Sequence, residues 1–256
     1  MNGGMYSALA GNLAAMQRLD VIASNLANVN TSGFKKDRLA FESVLAGTRN
    51  PPAVPSNQTA DPVLLQGRMV TDHSAGAMVQ TGNPLDMALQ GDGFFVVSTP
   101  DGVAYTRQGH FRLSGDGTLV TANGYPVLSS ADQQPIRIDV AAQAGGGKPV
   151  VDHQGNVTLN GEAIGSLAIV DFPKPYQLTK VAGTLFVPGA AVGTAAPQAA
   201  GALTTVAQGA LEQSNVDSIS EMVQMVEASR FFESCQRVVR NYDDMAAKAV
   251  NELARV

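Results

Sequence analysis

The 256-residue chain has no tryptophan, and aromatic residues make up only 5% of it. Its single cysteine, Cys235, excludes an internal disulfide framework and any metal site built from several thiolates. Charged residues account for 15%, against about 25% in an average globular chain. With a net charge of −5, the chain lacks the positive field that collects nucleic acid. No apolar run approaches the about 18 residues of a membrane span, and we expect no cleaved signal peptide.

The sequence also lacks a recognisable catalytic, cofactor or metal site. The glycine-rich stretch at residues 145–148 is followed by proline, where a phosphate-binding loop needs serine or threonine. The histidines, His73, His110 and His153, are roughly forty residues apart and have no metal-ligand spacing. Cys235 lies among apolar residues and is predicted to be a buried small hydrophobe. We therefore predict no catalytic residue, no cofactor and no metal, and we do not expect an enzyme.

What the chain does contain is a strong helical pattern at each end. Between residues 5 and 26, apolar side chains recur every three or four positions, which predicts a helix with a seam like that of a coiled coil. Residues 28–33 favour caps, turns and positive φ, so the helix should end there, with Gly33 at the turn. The seam residues are Met5, Leu9, Leu13, Met16, Leu19, Ile22 and Leu26.

The C-terminal segment repeats this pattern over a greater length. Its periodicity predicts a helix of about 35 residues, or about 50 Å, with Asp217 or Ser218 as N-cap and Ser218 and Glu221 at capping-box spacing. A compact domain of this size cannot cover so long a helix, so we expect partner chains. The stripe contains Met222, Met225, Ser229, Phe232, Cys235, Val239, Tyr242, Ala246, Ala249 and Leu253, and it is widened by Ile219, Val223 and Val226.

Between the helices the pattern is that of short strands. Apolar runs such as residues 94–97 alternate with turn sequences about every eight to twelve residues, as in a meander, barrel or sandwich. Asn160-Gly161 is a signal for a hairpin turn. Residues 49–62 and 189–202 are rich in proline, glycine or alanine without clear periodicity, and we interpret both as connectors.

These patterns together predict an α+β fold. The two terminal helices would form one discontinuous coiled-coil domain, residues 1–35 and 211–256, with an all-β domain, residues 81–189, inserted between them. Residues 36–80 and 190–210 would connect the two. In the alternative arrangement, each helix packs separately on the β domain as an ordinary amphipathic surface helix.

Several segments resemble one known family. Residues 24–36 (SNLANVNTSGFKK) are similar to the signature of the axial proteins of the bacterial flagellar rod and hook, in which the first helix ends in Asn-Leu-Ala-Asn. Supporting similarities cover residues 84–97 (PLDMALQGDGFFVV), 105–111 (YTRQGHF), 117–120 (GTLV), 124–128 (GYPVL) and 211–217 (LEQSNVD). The resemblance extends over nearly the whole chain.

The resemblance implies a structural subunit of the flagellar basal-body rod. Its partners would be other rod subunits, copies of itself and the flagellar export apparatus, with no nucleic acid and no membrane span. It would be exported without a cleaved signal peptide to the rod, which crosses the periplasm. In this family the terminal segments are largely disordered in the free subunit and fold together on incorporation. The short segment between residues 41 and 82 favours the proximal-rod type, with the distal-rod type as the alternative.

We expect the terminal segments to carry assembly. A secreted β-domain binding module, in which the helices serve only as a dimer handle, is a second hypothesis. Phe34 would bury its ring in its own chain or in the next subunit, and Asn28 would cap backbone groups at the helix exit. The predicted assembly residues are Leu9, Leu13, Met16, Asn25, Leu26, Asn28, Gly33, Phe34, Val223, Val226, Phe232, Val239 and Tyr242.

Overall fold

The computed structural model describes residues 2–43, 65–138, 147–189, 196–201 and 203–253. The chain forms two compact units, which we name the helical unit and the β unit. The helical unit comprises Met1–Ala27, Asp37–Asp72 and Asp217–Val256, and the β unit comprises Asn28–Lys36 and His73–Val216. The predicted α+β class, with terminal helices and a β-rich centre, is confirmed. The connector predicted at residues 49–62 lies outside the described residues, as does part of the one predicted at 189–202.

The helical unit contains two long helices and one hairpin. Helix α1 spans Asn2–Ala27 and helix α2 spans Ser218–Leu253, which confirms both predicted helices. Strands β1 (Asp37–Ser43) and β2 (Leu65–Thr71) pair antiparallel. The turn predicted after α1 is confirmed at Gly33, in the β unit, where φ is +70°.

Asp217 caps helix α2. Its carboxylate accepts a hydrogen bond from the Ile219 backbone N–H at 3.2 Å, and its carbonyl accepts one from Glu221 N–H at 3.0 Å. The capping-box pairing of Ser218 with Glu221 was wrong, because the Glu221 carboxylate is buried and accepts a hydrogen bond from Asn25 Nδ2 at 3.4 Å. Asp217, the other predicted cap, is confirmed.

The two helices pack against each other in antiparallel orientation. Gly11 of α1 lies beside Cys235 of α2, while Asn25, fourteen residues later in α1, bonds Glu221, fourteen residues earlier in α2. Residue numbers therefore increase along one helix while those of the contacting residues decrease along the other.

The β unit is built from short antiparallel pairings. One sheet has six strands in the order β13-β14-β6-β5-β12-β15, one has three in the order β11-β10-β9, and the pairs β16-β4, β17-β3 and β7-β8 complete the described topology. The strands are β3 (Met78–Gln80), β4 (Met87–Gln90), β5 (Phe94–Thr99), β6 (Gly102–Thr106), β7 (Phe111–Leu113), β8 (Leu119–Thr121), β9 (Pro149–Val151), β10 (Asn156–Leu159), β11 (Glu162–Ser166), β12 (Ile169–Asp171), β13 (Leu178–Ala182), β14 (Leu185–Pro188), β15 (Gln198–Ala199), β16 (Thr205–Gln208) and β17 (Ala210–Glu212).

Strand β5 separates two apolar cores. Phe95 and Val97 face a cluster that includes Phe111, whereas Phe94 and Val96 face a second cluster. Successive side chains of a strand point to opposite faces, so a continuous apolar run marks a strand that is buried on both sides.

The predicted hairpin turn at Asn160-Gly161 is confirmed between β10 and β11. Both residues have positive φ, at 54° and 88°, as a two-residue turn of type I′ requires.

Candidate assembly surfaces

The inner face of the helix pair combines small side chains with Ile22. Ala15 and Ile22 of α1 and Ala228 of α2 are buried. A Cβ atom placed on Gly11 would lie 3.3 Å from Cys235 Sγ, so the two helices approach closely at this point. The spacing between packed helices depends on the side chains at the contact, and small ones allow the backbones to come near.

The outer faces of both helices carry large apolar side chains. On α1, Leu9, Leu13 and Met16 are about half exposed, and they lie on the side of the helix opposite Ala15 and Ile22. We name these three residues the α1 stripe. On α2, a corresponding α2 stripe is formed by Ile219, Met222, Val223 and Val226. A second exposed row borders the contact with α1, because the Phe231 ring would lie 3.8 Å from a Cβ atom placed on Gly11. This row contains Phe231, Val238 and Met245 at seven-residue spacing.

The predicted assembly residues therefore divide between the two faces. Leu9, Leu13 and Met16, predicted on the same seam as Leu19 and Ile22, lie on the outer face instead. Val223 and Val226 are also exposed. Asn25 is buried, and the other predicted helical residues are half-buried: Leu26, Phe232, Val239 and Tyr242. Cys235, predicted to be buried, is half-buried as well.

Asn25 holds the start of strand β1. Its Nδ2 donates to the Asp37 carbonyl at 2.9 Å, and its Oδ1 accepts from the Asp37 N–H at 3.0 Å. Because both bonds are buried, the side-chain amide takes the place of a paired backbone. The Asp37 carboxylate then accepts a hydrogen bond from Thr71 Oγ1 at 2.6 Å. Asn25 thus links α1 to the β1–β2 hairpin within the helical unit.

A groove of about 280 Å³ lies between α1 and this hairpin. Val21, Leu39 and Met69 give it apolar walls, and Asp20 contributes an exposed carboxylate. The groove is a concave feature of the helical unit and is distinct from the apolar stripes on its outer helix faces. Its remaining lining residues are Gln17, Ser24 and Asp37.

The signature segment that follows α1 is part of the β unit. Phe34 is 1% exposed and packs within its own chain, under Lys180, whose Nζ lies 4.0 Å from the ring centroid. A side chain at Gly33 would overlap the Arg107 backbone, so glycine is required both for its φ and for this close approach. Asn28 accepts a hydrogen bond from Thr31 N–H at its carbonyl and from Thr31 Oγ1 at its Oδ1.

A buried group of charges beside this segment was missed by sequence reasoning. Glu212 accepts from Lys35 Nζ at 2.5 Å and from an Arg107 guanidinium nitrogen at 3.3 Å. The side chains of Lys35 and Glu212 are each 1% exposed. All three residues lie in motifs that carry the family resemblance, but a single sequence does not show that charges 72 to 177 positions apart meet. No local pattern indicates such a pairing.

The resolved pKa shifts fall elsewhere on the β unit. A hydrogen bond from Lys174 is the main cause that lowers the pKa of Asp92. Burial, followed by the neighbouring Asp171, raises the pKa of Tyr176. Hydrogen bonds from Thr118 and Ser114 lower the pKa of Asp116 to about 2. These shifts belong to local turn and surface pairs and do not mark a catalytic group.

Two further features bear on the class of the protein. In the part of the chain that the structure describes, no helix combines the length and apolarity needed to cross a lipid bilayer. Among the same residues, histidine, cysteine, aspartate and glutamate side chains form no cluster of three or more suited to a metal ion. The fold and surfaces are those of the interaction class of proteins, because large apolar side chains are exposed along both helices.

Comparison with known proteins identifies the family. The model described as "Flagella basal body rod protein" matches residues 5–35, "Flagellar hook protein FlgE/F/G D1 domain" matches residues 88–159, and "Flagellar basal body rod FlgEFG protein C-terminal" matches residues 207–252. The first and last of these cover the terminal helices, and the middle one covers much of the β unit.

Full-length relatives give the same result. The flagellar basal-body rod protein FlgG of Bacillus subtilis is 36% identical, with 96% of this chain and 97% of the relative covered. The rod proteins FlgF of Rhizobium meliloti and of Mesorhizobium japonicum are 33% and 30% identical, each with 99% of this chain and 98% of the relative covered. The chain belongs to the family of flagellar basal-body rod proteins. It is a structural subunit of the basal body that interacts with other rod subunits, and the family is not enzymatic.

Proposed function

We propose that this subunit polymerises through its terminal helices, which pair as an antiparallel coiled coil, into the axial shaft of the flagellum. The observation that carries the proposal is the pair of apolar stripes that remain exposed after α1 and α2 have packed together. Large exposed apolar patches mark surfaces that other chains cover. The β unit would be an inserted domain that contacts neighbouring subunits outside the helical core.

The charge distribution of α1 supports this use. From residue 2 to residue 17 the helix contains no charged side chain, although Leu9 and Leu13 lie on its exposed side. An exposed helix side that carries leucine and no charge is suited to burial against another chain. Contacts between different faces of successive copies do not close on themselves, so they generate a helical assembly.

The family also supports two narrower parts of the proposal. We infer that the flagellar export apparatus carries the chain to a rod that crosses the periplasm. We assign the chain to the proximal, FlgF, type because the segment between residues 41 and 82 is short. Relatives named FlgF and FlgG both match over nearly the full chain, so this subtype stays a prediction. Expression of the chain in a set of host strains, each lacking one rod gene, tests the subtype. The chain should restore motility only in the strain that lacks the proximal subunit.

Aspartate substitutions on the stripes test assembly directly. We expect Leu13→Asp and Val223→Asp to abolish incorporation into isolated basal bodies. A charge buried in a desolvated contact costs several kcal/mol, which corresponds to at least about a hundredfold weaker association. Ser7→Asp and Ser220→Asp introduce the same charge at exposed positions off the α1 and α2 stripes, and they serve as matched controls.

The outcome is scored by the amount of subunit in purified basal bodies and by thermal unfolding of the free subunit. Normal incorporation of both stripe variants would contradict the proposal. So would equal loss of incorporation in the control variants, because the effect would then follow charge alone. Unchanged helix content by circular dichroism, together with unchanged unfolding of the β unit, in all four variants would show that misfolding is not the cause.

A further inference from the structure

The chain passes between the two units four times, and all the bordering segments that belong to the β unit are bound there. Two of these crossings lie at the two ends of residues 28–36. The other two lie just before His73 and just after Val216. His73 packs edge-on against the rings of Tyr176 and Phe94, with centroid distances of 5.0 and 5.9 Å. The ends of the β unit are thus held within that unit.

Three of these segments converge on Glu212. Lys35 Nζ donates both to the Glu212 carboxylate and to the Ser74 carbonyl, the latter at 2.7 Å. The Gly76 N–H donates to the same Glu212 oxygen at 2.9 Å. The Gly33 N–H donates to the Glu212 backbone carbonyl at 2.8 Å. Glu212 lies in the segment before α2 and therefore binds both the segment after α1 and the segment after β2.

Asn215 makes a second set of connections among the same segments. Its Oδ1 accepts from the Lys36 N–H at 2.7 Å, and its Nδ2 donates to the Ser74 hydroxyl at 3.0 Å. Arg107 ties the group to the sheet, because its guanidinium donates to the Gly91 carbonyl at 2.7 Å as well as to Glu212. We name Lys35, Ser74, Gly76, Arg107, Glu212 and Asn215 the Glu212 cluster.

Burial makes this cluster a cooperative element. A buried carboxylate is stable only while its charged and hydrogen-bonding partners remain in place, and loss of one partner leaves an uncompensated charge. Lys35 and Glu212 are both inaccessible to water, so neither can replace its partner with solvent. Removing the Lys35 amine should therefore disturb Gly76, which Lys35 does not itself bond, through their shared acceptor.

We propose that the Glu212 cluster is a joint that keeps residues 28–36, 74–76 and 212–215 folded with the β unit, whether or not the helical unit is ordered. Ordering of the terminal helices would then stop at these segments, and changes in the helices would not propagate into the β unit. Lys35, Arg107 and Glu212 are positioning residues in this device. The inference concerns the free subunit and does not depend on assembly through the helices.

Amide hydrogen exchange on the full-length free subunit tests the joint. The reporters are the N–H groups of Gly33, Lys36 and Gly76, and the reference is the Leu119 N–H, which donates to Ile136 in the β core. We expect Lys35→Met to accelerate exchange at all three reporters together, by more than about a hundredfold, with Leu119 unchanged. Glu212→Gln should act in the same way, and Lys35→Arg should restore most of the protection.

Lys174→Met is the matched control, because it removes a lysine from an exposed ion pair with Asp92 on the same unit. It should leave every reporter unchanged. Faster exchange at Lys36 alone, with Gly76 still protected, would overturn the proposal, because the segments would then be held independently. Equal acceleration at Leu119 would also overturn it, since the cluster would be an ordinary part of the core. If the Glu212→Gln variant does not fold, hydrogen exchange in the Lys35→Met variant alone tests the joint.

A substitution in the other unit tests independence from the helices. Ile22 is 3% exposed on the inner face of α1, so Ile22→Asp should disrupt helix pairing. We expect the three reporters to keep their protection in this variant while circular dichroism records a loss of helix. Loss of protection at Gly33 and Gly76 would show that the cluster depends on the helices, and the joint would be rejected.

Discussion

The β unit and the helical unit place their large apolar side chains in opposite ways. In the β unit Phe94, Phe95 and Phe111 are at most 1% exposed, and two cores fill both sides of strand β5. In the helical unit the inner face uses small residues such as Ala15, while Leu13 is 56% exposed. The β unit therefore completes its core with its own chain, whereas the helical unit leaves large apolar groups exposed.

Their ion pairs differ in the same sense. The Lys35–Glu212 pair of the β unit is buried and braced by further hydrogen bonds. In the helical unit, the Arg237–Glu233 pair is mostly exposed and its atoms are 3.8 Å apart. An exposed pair contributes little, whereas breaking a buried one is strongly destabilising. The buried pair fixes the geometry around Glu212, whereas the exposed pair does not fix the geometry of α2.

Two phenylalanines provide the largest test of this comparison. Phe34→Ala should lower the free energy of unfolding of the β unit by about 3–5 kcal/mol, because it empties a fully buried site under Lys180. Phe231→Ala, at a side chain 54% exposed on α2, should leave β-unit unfolding unchanged and instead weaken incorporation into basal bodies. Thermal unfolding of the free subunit and basal-body content measure the two effects.

The reverse pattern would contradict the comparison. A stable Phe34→Ala variant that failed to assemble would place Phe34 in an intersubunit contact, the other location considered from the sequence. A Phe231→Ala variant with a destabilised β unit would show that the two units do not hold their apolar groups for separate purposes.

The sequence predicts the helices, the β-rich centre and several turns because each depends on local periodicity or local chemistry. It does not predict which side of α1 is inner. Leu9 and Leu13 recur at helical spacing as regularly as Ala15 and Ile22, so periodicity alone marks two faces. In the structure, the side of α1 that contains Gly11 faces α2, since only a small residue allows the approach to Cys235. Which side of α1 faces α2 depends on the side-chain volumes of both helices at the contact, so the pattern of one helix alone does not predict it.

The charges around Glu212 could not be predicted for a different reason. Lys35, Arg107 and Glu212 meet through tertiary folding, and buried charges are rare enough that composition argues against them. Asn25 is an intermediate case. Its position at the end of α1 is visible in the sequence, but its paired hydrogen bonds with the Asp37 backbone depend on where β1 begins.

An engineered disulfide tests whether α1 and α2 of one chain pair, and its expected effect is smaller. The chain has one cysteine, so Gly11→Cys creates a single possible intrachain bond, to Cys235. The 3.3 Å approach at this position suits a disulfide after modest side-chain rotation. We expect rapid oxidation to a monomer of altered mobility on a non-reducing gel wherever the helices are paired. Ala10→Cys, on the exposed side of α1, is the control and should not form this species.

Comparison of free subunits with assembled rods uses the same variant. If the terminal segments fold on incorporation, the intrachain bond should form more completely in rods than in the free chain. Disulfide-linked dimers in place of the monomeric species would show that α1 pairs with α2 of another copy, contrary to the structure of the helical unit.

The smallest expected effect concerns Asp116 in the turn between β7 and β8. Thr118 donates to its carboxylate through both Oγ1, at 2.9 Å, and the backbone N–H, and the resulting pKa of about 2 lies below the ordinary value of 3.8. A depressed folded-state pKa stabilises the protein above the ordinary value, and this stabilisation is lost as pH falls from 3.8 towards 2. Asp116→Asn should therefore slightly lower the unfolding temperature of the β unit at neutral pH, by an amount that shrinks over that interval. Unfolding curves of both proteins at pH 7, 4 and 2.5 measure the difference, and a difference that grows with acidity would assign the carboxylate a raised pKa instead.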